Sequence, residues 1–589
     1  MPRLPPMPPP RFPYSEAGLS AEEAAAHLLG RFTFGPTPGE VGRVAEEGLE
    51  AWFERQLRAD APDPEWERMT RADPTLARPT EVVVTRLVTV KELRKRAFAA
   101  GATATLKPER ATRVVWRKQF NAYKEAEGLV LAPELLADAR RARIVRAIVG
   151  RNQLHEVLSA FWANHLYVGQ GPAANPFLGA YDREAVRPHA LGPFGRLLLA
   201  SARHPAMLLY LDNAVSSAPR GTPTAARGLG RIGGRSKGLN ENYARELLEL
   251  HTLGADGPYT QDDVGAVARV FSGWGLVPFK HRREGPAAWE ALLDAAGPQR
   301  DRFLLDGLFL FRADLHDASP KTVLGEHLPA GGGVEEGERL LDRLALHPST
   351  ARHLATTLAR RFAADTPPDV LVDTLADAYL ASGGDTQAVL RALAASPMFW
   401  SEGVVRAKVK TPFELVVGAV RATGAQVEFK NGLQAHLAAL GEAPFGHIAP
   451  DGYPDHASAW INAGTLLGRM RFGVDLASGE VDGVALDPDR LVAEAGYDPR
   501  DPADALEACV DLLLAGRDRE GTRELLRPVV EQAAYADRVV AAAPPPAAPP
   551  PGEDDEPFEE PVRRRRQRPT SPAQQALSVV LGSPEFQRQ

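Results

Sequence analysis

Apolar residues recur along most of this chain at helical spacing, with large side chains three or four positions apart. Ser20-Ala21-Glu22-Glu23 and Thr37-Pro38-Gly39-Glu40 match the capping box, in which a hydroxyl and a carboxylate satisfy free N–H groups at a helix start. Alternation typical of strands is nearly absent: residues 81–90 (EVVVTRLVTV) are the best candidate, and they can equally be helical. The pattern predicts an all-α fold, with one large multi-helix domain over residues 18–540 and strand content below about a tenth.

The two ends of the chain differ from this body. The proline-rich start, residues 1–17, predicts a disordered N-terminal tail. Residues 541–572 are proline-rich, then acidic, then basic, which predicts a disordered insertion because such a composition buries too little apolar surface. Residues 573–589 regain helical periodicity and predict a C-terminal helix that docks on the body.

Composition and charge exclude several classes of protein. The apolar share is 44% and the net charge −7, so a basic nucleic-acid-binding domain is not expected. The eleven lysines and arginines between 86 and 124 are more typical of a solvated helix face than of a nucleic-acid surface. The single cysteine, Cys509, excludes an intrachain disulfide. No apolar segment resembles a signal peptide or a transmembrane helix, which together predict a cytoplasmic protein.

Two predicted helices direct histidines toward the interior. In residues 154–168, His165 shares a face with Leu158, Phe161 and Trp162, and in residues 239–254, His251 shares a face with Ala244, Leu247 and Leu248. Glu241 falls at the upper edge of the second face. A buried carboxylate must meet a cation, a metal ion or several hydrogen-bond donors, so Glu241 becomes a candidate ligand or general base.

A third candidate segment is residues 311–325, in which His316 and Asp317 precede a Pro320-Lys321 turn. Histidine and carboxylate side chains without cysteine are ligands for zinc, iron, manganese or copper. No H-E-x-x-H or H-x-H spacing supports such a site, and a lone interior histidine is more often a hydrogen-bonded core residue than a ligand. We therefore predict a polar site of His165, Glu241, His251 and His316, either binding a divalent transition metal or serving the core.

Other catalytic patterns are weaker. The chain has no P-loop, no G-x-G-x-x-G that follows a predicted strand and no G-x-S-x-G at a strand-to-helix elbow, and Cys509 falls in an apolar helix pattern. Two cationic pairs, Arg360 with Arg361 and Lys408 with Lys410, could bind an anion or act as structural ion-pair partners.

The chain resembles a bacterial family catalogued only as a domain of unknown function, number eighteen hundred. The segments that carry the resemblance are HLLGRFTFGPTPGEV (27–41), FWANHLYV (161–168), RPHALGPFGRLLLASARHPAMLLYLDN (187–213), LNENYARELLELHTLGADGPYTQDDV (239–264), FRADLHDASPKTVLG (311–325), KVKTPFELVVGAVRATG (408–424), DGYPDHASAWINAGTLLGRM (451–470) and LGSPEFQR (581–588). The resemblance covers nearly the whole chain and implies an all-helical fold without an established reaction. Residues 541–572 look like an insertion relative to the family.

The resemblance also implies a partner. Genes of this family often lie beside those of a second uncharacterised family, which is similar to phosphatases and sulfatases and carries twin-arginine export signals. That neighbourhood implies an exported partner, and export of this chain by association with it.

Two hypotheses therefore compete. The first is an enzyme in which His165, His251 and His316 are ligands or proton carriers, Glu241 is a ligand or general base, and Lys321 or Arg245 holds an anion. The second is a non-enzymatic scaffold or escort in which the same residues form a satisfied polar network. Convergence of His165, Glu241, His251 and His316 around an open cavity favours the enzyme, and dispersal into separate hydrogen-bonded pairs favours the scaffold.

Overall fold

The chain folds into a largely helical body in a computed structural model. The structure describes residues 11–72, 74–109, 111–226, 238–294, 296–514, 519–531, 535–542 and 569–589. The predicted all-α class is confirmed, since the strands in these ranges are only two or three residues long. Most of the predicted 541–572 insertion, residues 543–568, lies outside the described residues.

Within the described part of the chain, fourteen α-helices precede the first antiparallel strands. They are Ala21–Phe32 (α1), Glu40–Glu47 (α2), Leu49–Arg58 (α3), Pro64–Ala72 (α4), Thr80–Arg86 (α5), Val90–Ala99 (α6), Arg113–Ala126 (α7), Ala132–Val149 (α8), Gln153–His165 (α9), Leu178–Ala180 (α10), Phe194–Arg203 (α11), Pro205–Tyr210 (α12), Asn242–Glu246 (α13) and Gln261–Val270 (α14). Two π-helical turns, Tyr181–Val186 and Leu247–Thr252, extend α10 and α13.

The second half is built from shorter connections and further helices. They are Phe279–Arg282 (α15), Pro286–Asp294 (α16), Val334–Ala345 (α17), Pro348–Phe362 (α18), Asp369–Ala381 (α19), Thr386–Ala395 (α20), Pro412–Ala422 (α21), Gly432–Ala439 (α22), Ala457–Trp460 (α23), Ala463–Ala477 (α24), Pro488–Glu494 (α25), Pro502–Leu513 (α26), Arg519–Glu531 (α27), Tyr535–Ala542 (α28) and Pro572–Leu581 (α29). Single 3₁₀ turns occupy Pro74–Ala77, Asn175–Phe177, Arg187–His189, Asn213–Val215, Gly297–Arg302 and Pro397–Trp400.

The strands form four small sheets among the described residues. Leu87–Val88 (β1) pairs in parallel with Val130–Leu131 (β2); Trp274–Leu276 (β3), Leu304–Asp306 (β4) and Phe309–Phe311 (β5) form an antiparallel sheet in the order β3-β5-β4; Lys321–Val323 (β6) and Glu326–Leu328 (β7) form a hairpin; and Gln426–Val427 (β8) pairs with Val484–Ala485 (β9). The 81–90 segment is thus mostly helical, with a two-residue strand after α5.

Helix α21 lies at the centre of the body, because all eleven of its residues are buried. Gly418 allows α21 to approach the loop after α1 closely, because a Cβ at this position would lie 2.8 Å from the carbonyl oxygen of Phe34. Near the C-terminal end of α21, Arg421 donates to the carbonyl oxygens of Gly35 and Ile148, both at 2.8 Å. The surrounding helices are therefore arranged around one inner helix.

The predicted helix start at Ser20 is confirmed, whereas the one at Thr37 differs. Ser20 and Glu23 make the complete capping box of α1. In the second case Gly39, not Thr37, is the N-cap of α2, although the backbone and side chain of Thr37 still donate to Glu40.

Residues 11–17, which were expected to belong to the disordered tail, are described and form turns. Phe12 is buried and packs against Phe53 and Trp400, with ring centroids 5.5 Å apart in each pair. One aromatic anchor therefore fixes a segment that composition alone marked as a tail.

Residues 87–131 form a helical hairpin (the 87–131 hairpin) with a small hydrophobic core of its own. That core consists of Val88, Leu93, Ala97, Trp116, Phe120, Leu129 and Leu131, separate from the main cluster, which extends from Phe12 to Phe586. A third small cluster of Val474, Ala536 and Val539 is likewise separate from the main one, and the single domain over 18–540 stays a prediction. Among the described residues, no helix combines the length and the apolar character needed to cross a membrane.

The last helix docks on the body within the described residues. Its face Ala573, Ala576, Leu577 and Val580 is buried, and α29 packs against α24 and α26. Beyond it, Gln589 N donates to the carbonyl oxygen of Lys408 at 2.9 Å, so the segment continues to the base of α21.

We expect Leu577→Ala to lower the free energy of unfolding by about 2–5 kcal/mol, because it removes a fully buried side chain between packed helices. Chemical denaturation monitored by circular dichroism measures this loss. The matched control, Gln575→Ala on the more exposed side of the same helix, should change stability by less than about 0.5 kcal/mol. Equal effects of the two variants would show that α29 does not stabilise the body.

Candidate active site

Three histidines from three elements meet at one edge of the main core. His165 ends α9, His251 lies in the π-helical turn after α13, and His353 lies in α18. The His165 and His353 rings are 5.7 Å apart between centroids, and His165 Nε2 lies 3.1 Å from the carbonyl oxygen of His251. Because a carbonyl oxygen only accepts, Nε2 of His165 carries the hydrogen and its Nδ1 remains an acceptor.

These rings are neutral at physiological pH. Burial, followed by the proximity of His353 and His251, lowers the pKa of His165 to about 3. Burial and the proximity of His353 likewise lower the pKa of His251 to about 3. Both histidines point inward, as helical periodicity predicted, but groups that stay neutral to such low pH orient ligands better than they carry protons.

Glu241 does not face the interior. It is the N-cap residue of α13, its side chain is 42% exposed, and its carboxylate accepts from Gln261 Nε2 at 2.9 Å. Arg245, the other anion-clamp candidate, lies 3.6 Å from the same carboxylate and is similarly exposed. The expected buried carboxylate is therefore a half-exposed residue at a helix start, because α13 begins one residue after it.

His316 and Lys321 belong to a separate, enclosed charge cluster with Glu336. Lys321 Nζ lies 2.6 Å and His316 Nε2 lies 3.4 Å from Glu336 Oε2, and all three side chains are at most 1% exposed. Burial would raise the pKa of Glu336, but the hydrogen bonds from His316 and Lys321 outweigh it and hold this pKa below its usual range. The cluster fastens the β6–β7 hairpin to α17 and leaves no space for a substrate.

The predicted four-residue site is thus divided among three places. Among the described residues, no group of three or more His, Cys, Asp or Glu side chains could hold a metal ion. The candidate metal set His165, Glu241, His251 and His316 is not brought together, since Glu241 bonds to α14 and His316 to α17. By the criterion set above, this dispersal counts against the metal-enzyme hypothesis for these residues.

A cavity of about 380 Å³ lies beside the histidine cluster. Its walls come from α8, α9, α18, the start of α21 and the 442–456 loop; the residues that matter for its chemistry are Arg143, Asn164, His165, Tyr167, His353, Arg360, Arg361, Thr411, Glu414, Glu442, Asp451, Tyr453, Asp455 and His456. Aromatic side chains of Phe34, Phe161, Phe413 and Phe445 provide apolar surface. A mostly apolar concavity with a few converging polar groups is typical of a small-molecule site.

The start of α21 carries one ionised carboxylate into this cavity. Thr411 and Glu414 form the complete capping box of the helix, and Arg361 Nη1 lies 2.5 Å from Glu414 Oε1. Burial would raise the pKa of Glu414, but Arg361, the Thr411 backbone N–H and Gln589 outweigh it and lower this pKa. Glu414 is therefore an ionised residue of the cavity wall that is paired with Arg361.

Glu442 is a second carboxyl group at the start of α21. Unlike Glu414, it forms no ion pair with a described residue. Its Oε2 accepts from Phe413 N at 2.7 Å, and the Thr411 side chain shares a hydrogen bond with it. Among the described residues no Lys or Arg lies within ion-pair distance of it. Burial, with a contribution from the Glu414 charge, raises the pKa of Glu442 to about 8, so the group is largely protonated at neutral pH.

The cationic pairs named from the sequence have different roles. Lys408 bonds to Asp365 and Asp455, Lys410 donates to the carbonyl oxygen of Phe586, and Arg361 pairs with Glu414, so these three are structural partners. Arg360 differs: within the described chain its only hydrogen bond is from Nε to the Asp365 carbonyl oxygen at 3.3 Å. The terminal nitrogens of Arg360 are therefore available to a ligand in the cavity that this residue lines.

The 442–456 loop forms one wall and is held by α9. Asn164 Nδ2 donates to the carbonyl oxygen of Tyr453 at 2.8 Å, and Tyr453 N donates to Asn164 Oδ1 at 2.7 Å. The preceding Gly452 has φ of +73°, and a Cβ there would lie 2.4 Å from the Asn164 carbonyl oxygen. Glycine is required at this contact, which fixes the loop across the cavity.

Sequence reasoning missed Glu442 and the cavity. Glu414 carries a local signal, because Thr411-Pro412-Phe413-Glu414 matches the capping box used elsewhere to locate helices. Glu442 follows a short helix in a loop, and nothing in its neighbours along the chain indicates that it meets the start of α21.

Comparison with known proteins agrees with the resemblance found in the sequence. The family described as "Protein of unknown function (DUF1800)" matches residues 27–588. No curated protein and no solved structure matches the chain.

We expect Lys321→Met to lower the free energy of unfolding by about 3–5 kcal/mol at pH 7, because it leaves the buried Glu336 carboxylate without its ammonium partner. Since the folded pKa of Glu336 is depressed, the stability that this group contributes is present above its unfolded pKa and is lost as pH falls through the folded value. The variant should therefore show a weaker loss of stability on acidification than the parent protein.

Chemical denaturation from pH 3 to pH 8 measures this dependence. The exposed Lys107→Met is the matched control and should change stability by less than about 0.5 kcal/mol. A Lys321→Met protein of unchanged stability would contradict the structural role and return Lys321 to the catalytic candidates.

Proposed function

This chain belongs to the family of proteins of unknown function DUF1800, and from the chemistry of its own cavity we propose that it is an enzyme that uses Glu442 as a general acid. The observation that carries the proposal is the position of Glu442: its carboxyl group lines the cavity, held by Phe413 N and Thr411, without a cation to keep it ionised. A protonated carboxyl group that faces a closed site can donate its proton to a bound oxygen or nitrogen atom.

The contrast between the two carboxyl groups at the start of α21 supports this role. Glu414 is ionised beside Arg361, whereas Glu442 keeps its proton to about pH 8. Neighbouring carboxyl groups whose surroundings separate their pKa values are a recurring arrangement in acid–base enzymes. A purely structural carboxyl group would gain stability from a cation, as Glu336 does from Lys321.

The cavity walls also indicate the substrate class. A volume of about 380 Å³ admits a small molecule. Arg360 offers guanidinium nitrogens to one side, which suits a carboxylate or phosphate group. The neutral Nδ1 of His165 accepts a hydrogen bond, which suits a hydroxyl or amine of the same ligand.

The second candidate is a non-enzymatic scaffold or escort for an exported partner similar to phosphatases and sulfatases. The enclosed His316–Lys321–Glu336 cluster favours it, because two predicted site residues, His316 and Lys321, are used to fix packing there. Under this proposal Glu442 only braces the start of α21. Residence in the cytoplasm, or export with that partner, is part of the same proposal.

The ionisation state of Glu442 distinguishes the enzyme from the scaffold. Because the folded protein keeps the Glu442 proton from about pH 4.5 to about pH 8 while the unfolded chain loses it, the free energy of unfolding falls as pH rises through this window. The limiting slope from one such group is about 1.4 kcal/mol per pH unit. Glu442→Gln removes it, so the variant should gain stability relative to the parent as pH rises from 5 to 8.

Denaturation curves across this range, with infrared difference spectra for a protonated carboxyl group at neutral pH, measure the effect. The matched control is Glu402→Gln, an exposed glutamate outside the cavity, which should follow the parent protein. A Glu442 carboxyl group that is already ionised at pH 6 would refute the general-acid role.

We expect the same variant to lose turnover by about 10²–10⁴-fold, with a smaller change in KM, because general-acid catalysis contributes about that factor to the chemical step. Alkyl esters, phosphates and glycosides are the probes, because their leaving alcohols need a proton, with release of the alcohol as the measurement. Glu402→Gln should retain the parent rate. Undiminished turnover by a folded Glu442→Gln protein would refute the general-acid role, whereas a parent protein that turns over none of the probes would favour the scaffold.

A further inference from the structure

The 87–131 hairpin projects one end away from its base. Its base is the β1–β2 strand pair, α6 leads away from β1, and α7 returns toward β2. Residues 98–109 and 111–118, which comprise the last turn of α6, the described part of the connecting loop and the first turns of α7, therefore lie at the opposite end. We call this region the hairpin tip.

The hairpin tip exposes large apolar side chains that its own core does not use. Val114 is 82% exposed, Val115 62%, Phe98 46% and Leu106 45%. In α7 the core face is Trp116 and Phe120, so both valines lie outside it. Four large apolar side chains exposed within one small element are the kind of exposure that marks an interaction surface, and we call these four residues the patch.

Positive charge surrounds this patch. Residues 87–131 contain ten Lys or Arg against four Glu, a net charge of +6, whereas the whole chain carries −7. Lys95, Lys107 and Lys118 are exposed at or beside the tip. Glu92 is engaged near the base by Arg96 and Arg283, so it does not neutralise the tip.

We propose that the hairpin tip docks on the surface of an anionic phospholipid bilayer. Phe98, Leu106, Val114 and Val115 enter the headgroup region, and the lysines around them bind lipid phosphates. Apolar side chains combined with lysines at an interface are the pattern by which peripheral elements bind such membranes.

The chemistry favours lipid over nucleic acid. Nucleic-acid surfaces stack successive bases on several exposed aromatic rings, but Trp116 is buried and stacks on Phe120 with centroids 4.7 Å apart, so Phe98 is the one exposed ring among the described residues of the tip. Exposed valines have no role against phosphates alone, whereas a bilayer takes up both the charge and the aliphatic groups.

Co-sedimentation of the full chain with vesicles tests the proposal. We expect binding to phosphatidylcholine vesicles that contain phosphatidylglycerol, no binding to phosphatidylcholine alone, and weaker binding as ionic strength rises. Val114→Asp with Val115→Asp should weaken partitioning at least about tenfold. Lys107→Glu with Lys118→Glu should weaken it by about 30-fold.

The matched control is Val370→Asp with Leu525→Asp, since these side chains are 62% and 61% exposed on other elements. This control should bind vesicles as the parent does, and circular dichroism checks that each variant is folded. The proposal is overturned if anionic vesicles do not bind, or if the valine variant binds them as tightly as the parent. Capture of duplex DNA or RNA without vesicle binding would overturn it in favour of a nucleic-acid surface.

Discussion

Complete burial of α21 is the constraint on which the rest of this structure depends. A helix without a solvent face must satisfy its free terminal groups from the surrounding protein. At its start Thr411 and Glu414 cap each other, Phe413 N donates to Glu442, and Arg361 neutralises Glu414. The polar groups needed to end the central helix are therefore the same groups that give the neighbouring cavity its chemistry.

The last segment of the chain completes this arrangement. Gln589 donates to Glu414, Arg469 holds Gln587, and Lys410 N donates to the Gln587 carbonyl oxygen. Docking of α29 and formation of the cavity wall are thus coupled through contacts between residues more than a hundred positions apart. A substitution under α29 should reach the cavity through Glu414, whose pKa depends in part on Gln589.

Local patterns determine what could be predicted from the sequence. The helix starts at Ser20 and Thr411, the docking of α29 and the inward position of His251 follow from capping and periodicity, which act over a few residues. Glu241 was misplaced because a helix face was extended through a residue that precedes the first helical turn. The partners of Glu442 and Lys321 lie 29 and 15 positions away in the chain, and no local pattern specifies such contacts.

The carboxyl groups of Glu336 and Glu442 differ in their partners, and the difference bears on function. Lys321 pairs with Glu336 in an enclosed space beside His316, where removal of one partner of the pair costs much. Glu442 remains neutral beside open volume, with its proton available to whatever occupies that volume. Histidines that follow an apolar helical pattern lie in packed surroundings. A carboxyl group that faces a cavity and has no ion-pair partner among the described residues is the arrangement that can act on a ligand.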